Sequence, residues 1–408
     1  MTTAANDDAF SLTGSPGLFA LWQSRFLSGT AVQMLFVAIG WQLYELTANP
    51  LDLGLVGLVQ FVPLFLASPL AGYAADTRDR RRVALVCQSV AAIIALLLTL
   101  SALSGQIGRY QIFLLVGLLG LLRAFEFPTL SALVPLLVTR DQMTRAVSHY
   151  SSANQASIVL GPAVGGILTM AGPAVAYGVA TALLAAAAWR TSTLRPAPQN
   201  LNTSPFSVTT LLAGGKFIIS TPVILGALSL DLVAVLLGAV VALLPIVAKD
   251  ILQVGPWGLG ILRASPAVGA LSMAIYLAHN PLRSAAGAKM FWGVAIYGVA
   301  TIVFGFAGSF LVAILALLVM GAADVISVVV RQSLVQLRTP DDMRGRVGAV
   351  NTMFIAGSNQ LGDFRAGLVA AAIGTGPAIL VGGVCAVAIA AVWAALFPSL
   401  RKLDRLEN

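Results

Sequence analysis

Four carboxylates stand inside apolar stretches of the chain that are long enough to cross a bilayer. Placing an ionisable side chain at mid-membrane costs at least about 2.5–3.5 kcal/mol, so such a residue is a functional candidate by default. A buried carboxylate can take up or release a proton when its surroundings change. The candidates for proton coupling are Glu126, Asp231, Asp324 and Asp363.

Arginines accompany these carboxylates and leave two interpretations open. Arg123 lies three residues before Glu126, on the same face of a helix, where the two side chains can pair. A pairing that changes between conformations lets the carboxylate carry protons, whereas a fixed pair only holds helices together. Glu126 and Asp231 should lie deepest. Asp324 and Asp363 lie nearer the ends of their apolar stretches and fit a fixed pairing equally well.

A second set of polar side chains is suited to contact a substrate. Arginines in the membrane would attract an anionic ligand, and amide side chains could line a central cavity. Each amide fits a hydrogen bond between two helices equally well. The candidates are Arg123, Arg263, Gln33, Gln42, Gln60 and Asn359.

Long apolar helices are needed to position these residues, and the composition supplies them. Of the 408 residues, 58% are hydrophobic and 10% are charged, and the mean hydropathy is +0.90. A soluble protein carries about 25% charged residues, so that class is excluded. At about 20 apolar residues per membrane-spanning helix, the pattern predicts twelve spans. They cover 20–45, 53–75, 82–104, 110–136, 144–170, 174–190, 222–248, 257–278, 289–308, 310–330, 346–371 and 375–397.

The positions of the basic residues predict the orientation, because short loops rich in Lys and Arg stay in the cytoplasm. With both termini cytoplasmic, nineteen of the 24 basic residues, including Arg25 and Arg331, fall on the inside. Only Arg109 and Lys249 fall on the outside. The net charge of +8 therefore reflects membrane topology and does not indicate nucleic-acid binding.

A polar segment over about 191–220, with several Pro, Asn and Ser residues, divides the spans six and six. The halves 1–200 and 201–408 are similar after a shift of 200 residues, which places Thr139–Met143 on Thr339–Met343 between corresponding spans. The sequence therefore predicts an all-α membrane protein made of two pseudo-symmetric six-helix bundles. A substrate path between two such halves is typical of transporters.

The loop after span 2 carries the sequence GYAADTRDRRR over 72–82. It resembles the signature loop G-x-x-x-D-x-x-G-R-R of the major facilitator superfamily, with Asp79 where that pattern has Gly. We expect Gly72 to permit close helix approach, Asp76 to cap span 3, and Arg80 and Arg81 to anchor the loop in the cytoplasm.

Span 5 carries a second motif, GPAVGG over 161–166, with residues Gly161, Pro162, Gly165 and Gly166. It is similar to the G-x-x-x-G-P-x-x-G-G motif of the superfamily's exporters, with Ser157 in place of the first Gly. An ordinary packing face of small residues is the alternative. Other stretches, among them WQLYELT over 41–47, GLGILRA over 258–264 and SNQLGDF over 358–364, resemble the branch containing the enterobactin exporter and related siderophore and drug efflux carriers.

This resemblance extends over about residues 18–400 and implies a secondary carrier of the bacterial inner membrane that works by alternating access. It implies proton-coupled export of a siderophore or similar small metabolite. The alternative is a multidrug antiporter for lipophilic cations, which Glu126 and Asp231 would attract. When the carrier faces outward, Asp76 and Arg80 are expected to hold the cytoplasmic gate shut.

The sequence lacks the motifs that are typical of other function classes. The sequence has no G-x-x-x-x-G-K-[ST] phosphate loop, no G-x-S-x-G nucleophile motif and no spacing of Cys and His suited to a metal. We therefore expect neither an enzyme nor an ATP-driven pump, and neither a cofactor nor a metal. The expected partners are a small-molecule substrate, protons and the lipid bilayer, with the protein acting as a monomer.

Overall fold

The computed structural model describes residues 15–198, 215–282, 285–340 and 343–404. Within these ranges the chain has no β-strand and forms twelve helices of 17 residues or more. They are α1 Pro16–Thr47, α2 Pro50–Thr77, α3 Arg80–Leu103, α4 Arg109–Leu133, α5 Met143–Met170, α6 Pro173–Ser192, α7 Pro222–Gly238, α8 Gly255–His279, α9 Ala286–Gly305, α10 Phe310–Arg338, α11 Arg344–Ile373 and α12 Thr375–Leu396. A short helix, α13 Pro398–Arg401, follows.

Every predicted span overlaps one of these helices. In the described part of the chain, ten segments are long and apolar enough to cross a membrane, counting α7 together with its continuation to Ile251. The two long helices outside this group are α5 and α11, which have 28 and 30 residues and carry many polar side chains. They occupy equivalent places in the two halves, so their polarity follows the internal repeat.

Proline and glycine set several helix boundaries. Helices α1, α2, α6 and α7 each begin at a proline, whose fixed φ suits the first helical position. The turns after α5 and α11 contain Gly172 with φ of 113° and Gly374 with φ of 90°. A side chain is strained at such φ values. Matching glycine turns at equivalent points again reflect the repeat.

The contacts between helices divide the chain into two units. The first comprises Met1–Ile39 and Val62–Phe206, and the second comprises Gly40–Phe61 and Ser207–Asn408. In the first unit, α3 packs along α6 and α4, and Leu21 of α1 shares a buried core with Leu130 and Leu133 of α4. In the second unit, α8 and α9 pack on α10, and α9 also packs on α12.

Specific contacts tie the end of α1 and the start of α2 to the other helices of the second unit. The Tyr44 hydroxyl donates a hydrogen bond to Asp250, and the Lys249 ammonium lies 5.7 Å from the centroid of the Tyr44 ring. On α2, a Cβ added to Gly367 of α11 would lie only 2.7 Å from the Cα of Gly54. The backbones of α2 and α11 therefore touch.

Two helix ends lie eight or more residues from the predicted span ends. Helix α10 extends to Arg338 instead of ending at 330, so Asp324 lies in the middle of its helix and not near an end. Helix α7 ends at Gly238, and the chain continues through a 3₁₀ turn at Val241–Leu243 and a π-helical turn at Val247–Ile251. Of the predicted linker, 199–214 lie outside the described residues, as do 341–342 in the second of the two matched loops.

Candidate functional site

Two arginines at the start of α3 bind the ends of three helices in the first unit. Arg80 donates from Nε to the Ala75 carbonyl at 2.8 Å and from Nη1 to the Ala132 carbonyl at 3.0 Å. Arg81 donates to the Ser192 carbonyl at the end of α6. Carbonyls at a helix C-terminus lack partners within the helix and carry partial negative charge. The two arginines therefore stabilise the ends of α2, α4 and α6.

Two expectations for the loop between α2 and α3 are wrong. Asp79, the residue that departs from the superfamily pattern, is the N-cap of α3, and its side chain accepts a hydrogen bond from the Arg82 backbone N–H at 3.2 Å. Asp76 is not the cap, and its side chain lies outside the described residues. Among the described residues, a Cβ added to Gly72 would meet no atom within 4 Å, so Gly72 makes no close contact with a helix of that part of the chain. The gating role of Asp76 and Arg80 stays a prediction.

The exporter motif of α5 packs against α1. A Cβ added to Gly161 would lie 2.5 Å from the Cβ of Gln33, and one added to Gly165 would lie 2.8 Å from the Cα of Met34. Small residues thus let the two helices approach at their backbones. This contact gives Gln33 a packing role. The motif residues buried on α5 are Gly161, Pro162, Gly165 and Gly166.

Ser157, which replaces the first Gly of the motif, is matched by a glycine on α1. A Cβ added to Gly29 would lie 2.4 Å from the Ser157 Oγ. We expect Gly29→Ala to destabilise the protein by about 1–3 kcal/mol through overpacking. Adding Ser157→Gly should restore most of that loss. Thermal unfolding in detergent of the parent, the two single variants and the double variant measures how strongly the two positions are coupled. If Gly29→Ala lowered the stability equally in the parent and in the Ser157→Gly variant, the close contact would not be the cause.

Glu126 belongs to a buried hydrogen-bond network that joins α1, α3, α4 and α6. Gln88 donates from Nε2 to Glu126 Oε1 at 3.1 Å and to the Ser24 Oγ at 2.9 Å. The Thr191 hydroxyl donates to Gln88 Oε1 at 2.7 Å. Sequence reasoning missed Gln88, although an amide in a span as apolar as α3 is the kind of signal that could have found it.

Arg123 and Glu126 are three residues apart on α4, but the contacts that the structure gives them differ. The Arg123 guanidinium lies 5.9 Å from the centroid of the Phe36 ring on α1, in a cation–π arrangement. The Glu126 carboxylate is held by Gln88. The substrate-contact role of Arg123 and the coupling role of Glu126 stay predictions.

Arg25 is a buried residue of α1. The charge tally counted it on the cytoplasmic side, and in the structure it lies within the helix and is only 8% exposed. It donates to the Asn154 Oδ1, and its guanidinium carbon lies 5.1 Å from the centroid of the Phe127 ring, which is 49% exposed. The Arg25 Nε and the Tyr150 hydroxyl are buried without a hydrogen-bond partner among the described residues. Unfilled hydrogen-bonding capacity therefore lies beside an exposed aromatic ring.

Arg331 is a second arginine of the cytoplasmic tally that the structure buries in a helix, because α10 extends beyond the predicted span end at 330. It lies within α10 and is 3% exposed. Its Nη1 lies 3.2 Å from Asp231 Oδ2 of α7, and the same nitrogen donates to Asn351 Oδ1 of α11 at 3.2 Å. A buried ion pair thus joins α7 to α10, with a hydrogen bond to α11.

Asp231 shares a small cavity with a second carboxylate. The cavity has a volume of about 10 Å³ and is lined in part by Asp231, Asp324, Ser327 and Tyr297. This volume is at the lower limit for one water molecule. The Ser327 hydroxyl donates to Asp231 Oδ1 at 3.4 Å, whereas Asp324 makes no ion pair with any cation of the described ranges. Two carboxylates therefore line one cavity, and of the two only Asp231 pairs with a cation of the described ranges.

Asp363 and Arg365 of α11 form hydrogen bonds with backbone groups at the break that follows α7. Asp363 Oδ1 accepts from the Ala242 N–H at 3.2 Å, and Arg365 Nη2 donates to the Ala239 carbonyl at 3.3 Å. Arg263 lies within electrostatic range of Asp363. A helix broken inside a membrane frees backbone groups that must find other partners. These contacts favour the fixed-partner alternative for Asp363.

Replacing Asp363 with Leu is expected to destabilise the second unit, because the Ala242 N–H loses its acceptor and Arg263 loses its counter-charge. The loss should reach about 1–3 kcal/mol or more. Asp363→Asn keeps an acceptor oxygen and should cost less. Thermal unfolding in detergent compares the two variants with the parent, and an unchanged unfolding temperature for Asp363→Leu would exclude this role.

The remaining amides named from the sequence lie in the second unit. Gln360 Nε2 of α11 donates to Gln60 Oε1 of α2 at 3.2 Å, which is the hydrogen bond between helices that was the alternative for Gln60. Asn359 Nδ2 donates to the Ile355 carbonyl one turn earlier at 2.8 Å. Gln42 is buried in α1 at 8% exposure.

Comparison with known proteins identifies the family to which this chain belongs. The profile of the transmembrane secretion effector family, within the major facilitator superfamily, matches residues 15–408. The chain belongs to this family. It is 26% identical over 341 residues to the enterobactin exporter EntS of Escherichia coli O81 (strain ED1a), covering 83% of this chain and 81% of the relative. It is 27% identical over 350 residues to EntS of Salmonella typhi, with the same coverages of 83% and 81%.

Solved structures show the same fold at low identity. A POT family transporter in complex with 5-aminolevulinic acid superposes with a TM-score of 0.77 at 12% identity, covering 96% of this chain and 98% of that one. A mutant of the nucleoside transporter NupG gives a TM-score of 0.76 at 15% identity, covering 93% and 99%. The chain is therefore a multi-pass membrane transporter with the major facilitator fold, and not an enzyme. The predictions of family and fold class are confirmed.

Proposed function

We propose that this protein is a proton-coupled exporter of a siderophore or similar small metabolite. It works by alternating access as a monomer in the bacterial inner membrane, with both termini in the cytoplasm. Similarity to the EntS exporters supports the substrate class and the direction. The observation that carries proton coupling is that Asp231 and Asp324 line one small cavity while Asp231 pairs with Arg331.

Charge balance in this cavity favours one exchangeable proton. An unbalanced charge in a low-dielectric interior is costly, and two carboxylates that share a site do not both ionise readily. Asp231 stays ionised beside Arg331, and Asp324 carries the proton. A conformational change that parts Asp231 from Arg331 changes the field at Asp324, so Asp324 releases or takes up its proton in step with transport.

The surroundings of Arg25 favour an aromatic, oxygen-bearing substrate over a lipophilic cation. A substrate ring could stack on the exposed Phe127 ring, and a movement of that ring would open the unfilled Arg25 Nε–H and Tyr150 hydroxyl to substrate oxygens. A cation would be repelled by Arg25. The Glu126 carboxylate, which would attract a cation, already accepts a hydrogen bond from Gln88.

Untargeted mass spectrometry of cells and medium tests this function without a guess at the substrate. A strain lacking the gene is compared with its parent and with a complemented strain, all grown under iron limitation. We expect a metal-chelating metabolite to accumulate inside the mutant and to be depleted from its medium, with both changes reversed by complementation. Identical metabolite profiles in the three strains would contradict siderophore export and favour drug efflux.

A further inference from the structure

A groove of about 660 Å³ opens on the first unit where α2 ends and α3 begins. Its volume falls within the roughly 300–1,000 Å³ typical of sites for small molecules. Arg78 and Arg82 lie at its exposed edge, and Val83, Val86 and Phe125 form its apolar interior. The groove contains none of the residues to which transport is assigned above.

Both arginines at the edge can bind an anion. Arg78 is exposed and makes no ion pair with any carboxylate whose side chain the structure describes. Arg82 lies 3.4 Å from Asp79, but its side chain is 85% exposed. Such a surface ion pair contributes little and leaves a donor free. The neighbouring Arg80 and Arg81 contact helix carbonyls instead.

The apolar interior continues along the outer face of α3. Val86, Val90, Ile93, Leu97 and Leu100 are 37–58% exposed and recur at a spacing of three or four residues. Residues at that spacing share one face of a helix. In a transmembrane helix an exposed apolar face of this kind contacts lipid acyl chains. The groove therefore joins a cationic edge to a surface for an acyl chain.

We propose that this groove is a binding site for an anionic phospholipid. The phosphate lies between Arg78 and Arg82, and one acyl chain runs over Val83, Val86 and Phe125 and along α3. Basic pockets between transmembrane helices at the membrane surface are known to bind anionic headgroups. A soluble phosphate would use the arginines but leave the apolar interior uncovered. With the N-terminus in the cytoplasm, as proposed above, the lipid comes from the cytoplasmic leaflet.

Thermal unfolding of the purified full-length protein in detergent tests this site, with dioleoyl phosphatidylglycerol, dioleoyl phosphatidylcholine or inorganic phosphate added. Binding to the folded state alone raises the unfolding temperature. We expect phosphatidylglycerol to raise it by roughly 3 °C or more above the phosphatidylcholine sample. The difference should vanish in Arg78→Gln/Arg82→Gln. It should persist in Arg140→Gln/Arg195→Gln, which removes two exposed arginines elsewhere in the first unit.

A second variant separates the groove from general surface charge. Val86→Trp narrows the groove and leaves every arginine in place, so we expect it to reduce the phosphatidylglycerol effect by at least half. An unchanged effect in Val86→Trp would overturn the acyl-chain part of the proposal. An equal shift with inorganic phosphate, or the same loss in both arginine pairs, would overturn the lipid site itself. None of these readouts depends on the transported substrate.

Discussion

Replacing Asp324 with Asn is expected to abolish uphill export while leaving exchange of substrate across the membrane. Asn resembles a carboxyl group that never loses its proton, so the carrier can still alternate when substrate is bound on both sides but cannot release a proton. Accumulation driven by a pH gradient should fall at least about 10-fold, and counterflow should stay within about twofold of the parent. Both rates are measured in proteoliposomes with the same preparation.

Asp363→Asn is the matched control for this variant. It removes a carboxylate from the same unit but keeps an oxygen that can accept from the Ala242 N–H. We expect it to retain coupled accumulation. Suppose instead that Asp363→Asn loses coupling and Asp324→Asn retains it. The exchangeable proton would then be assigned to Asp363 at the break in α7, and not to Asp324 in the cavity.

Replacing Arg331 with Met should produce the largest loss of stability. It leaves the Asp231 carboxylate buried without a counter-charge, because Arg331 Nη1 is its ion-pair partner at 3.2 Å. Removing one partner of a buried pair costs about 3–5 kcal/mol. For a unit of about 200 residues this corresponds to a fall in unfolding temperature on the order of 10 °C. Thermal unfolding in detergent provides the measurement.

The double variant Asp231→Asn/Arg331→Met distinguishes a missing charge partner from a packing defect. Removing both charges at once is often neutral for stability, so the unfolding temperature should return most of the way to that of the parent. A double variant as unstable as Arg331→Met alone would show that the arginine stabilises the unit through packing and through Asn351 rather than through Asp231.

The architecture could be predicted from the sequence because it rests on local signals. An apolar segment of about 20 residues forms a membrane-spanning helix whatever its neighbours are, so every predicted span overlaps a helix. The repeat was visible in the two matched loops, and the structure adds the paired turns at Gly172 and Gly374. The break after Gly238 was not visible, because its stability depends on Asp363 and Arg365 from a distant helix.

The candidate site was only partly predictable, since pairing and burial depend on helices far apart in sequence. Composition and hydropathy identified Asp231 and Asp324 as candidates. They did not indicate that both side chains line one cavity. The count of arginines on the cytoplasmic side included Arg25 and Arg331, and only the structure shows that both are buried within helices. The departures Asp79 and Ser157 were visible in the sequence, yet only the structure shows a helix cap and a fit to Gly29.

Transport by the purified protein in proteoliposomes with an acidic lumen tests proton-coupled export most directly. The substrate is the metabolite that accumulates in the strain lacking the gene. We predict that the lumen accumulates it above the external concentration and that a protonophore collapses the gradient. Accumulation that stops at equal concentrations, or that is the same with the protonophore present, would contradict proton coupling.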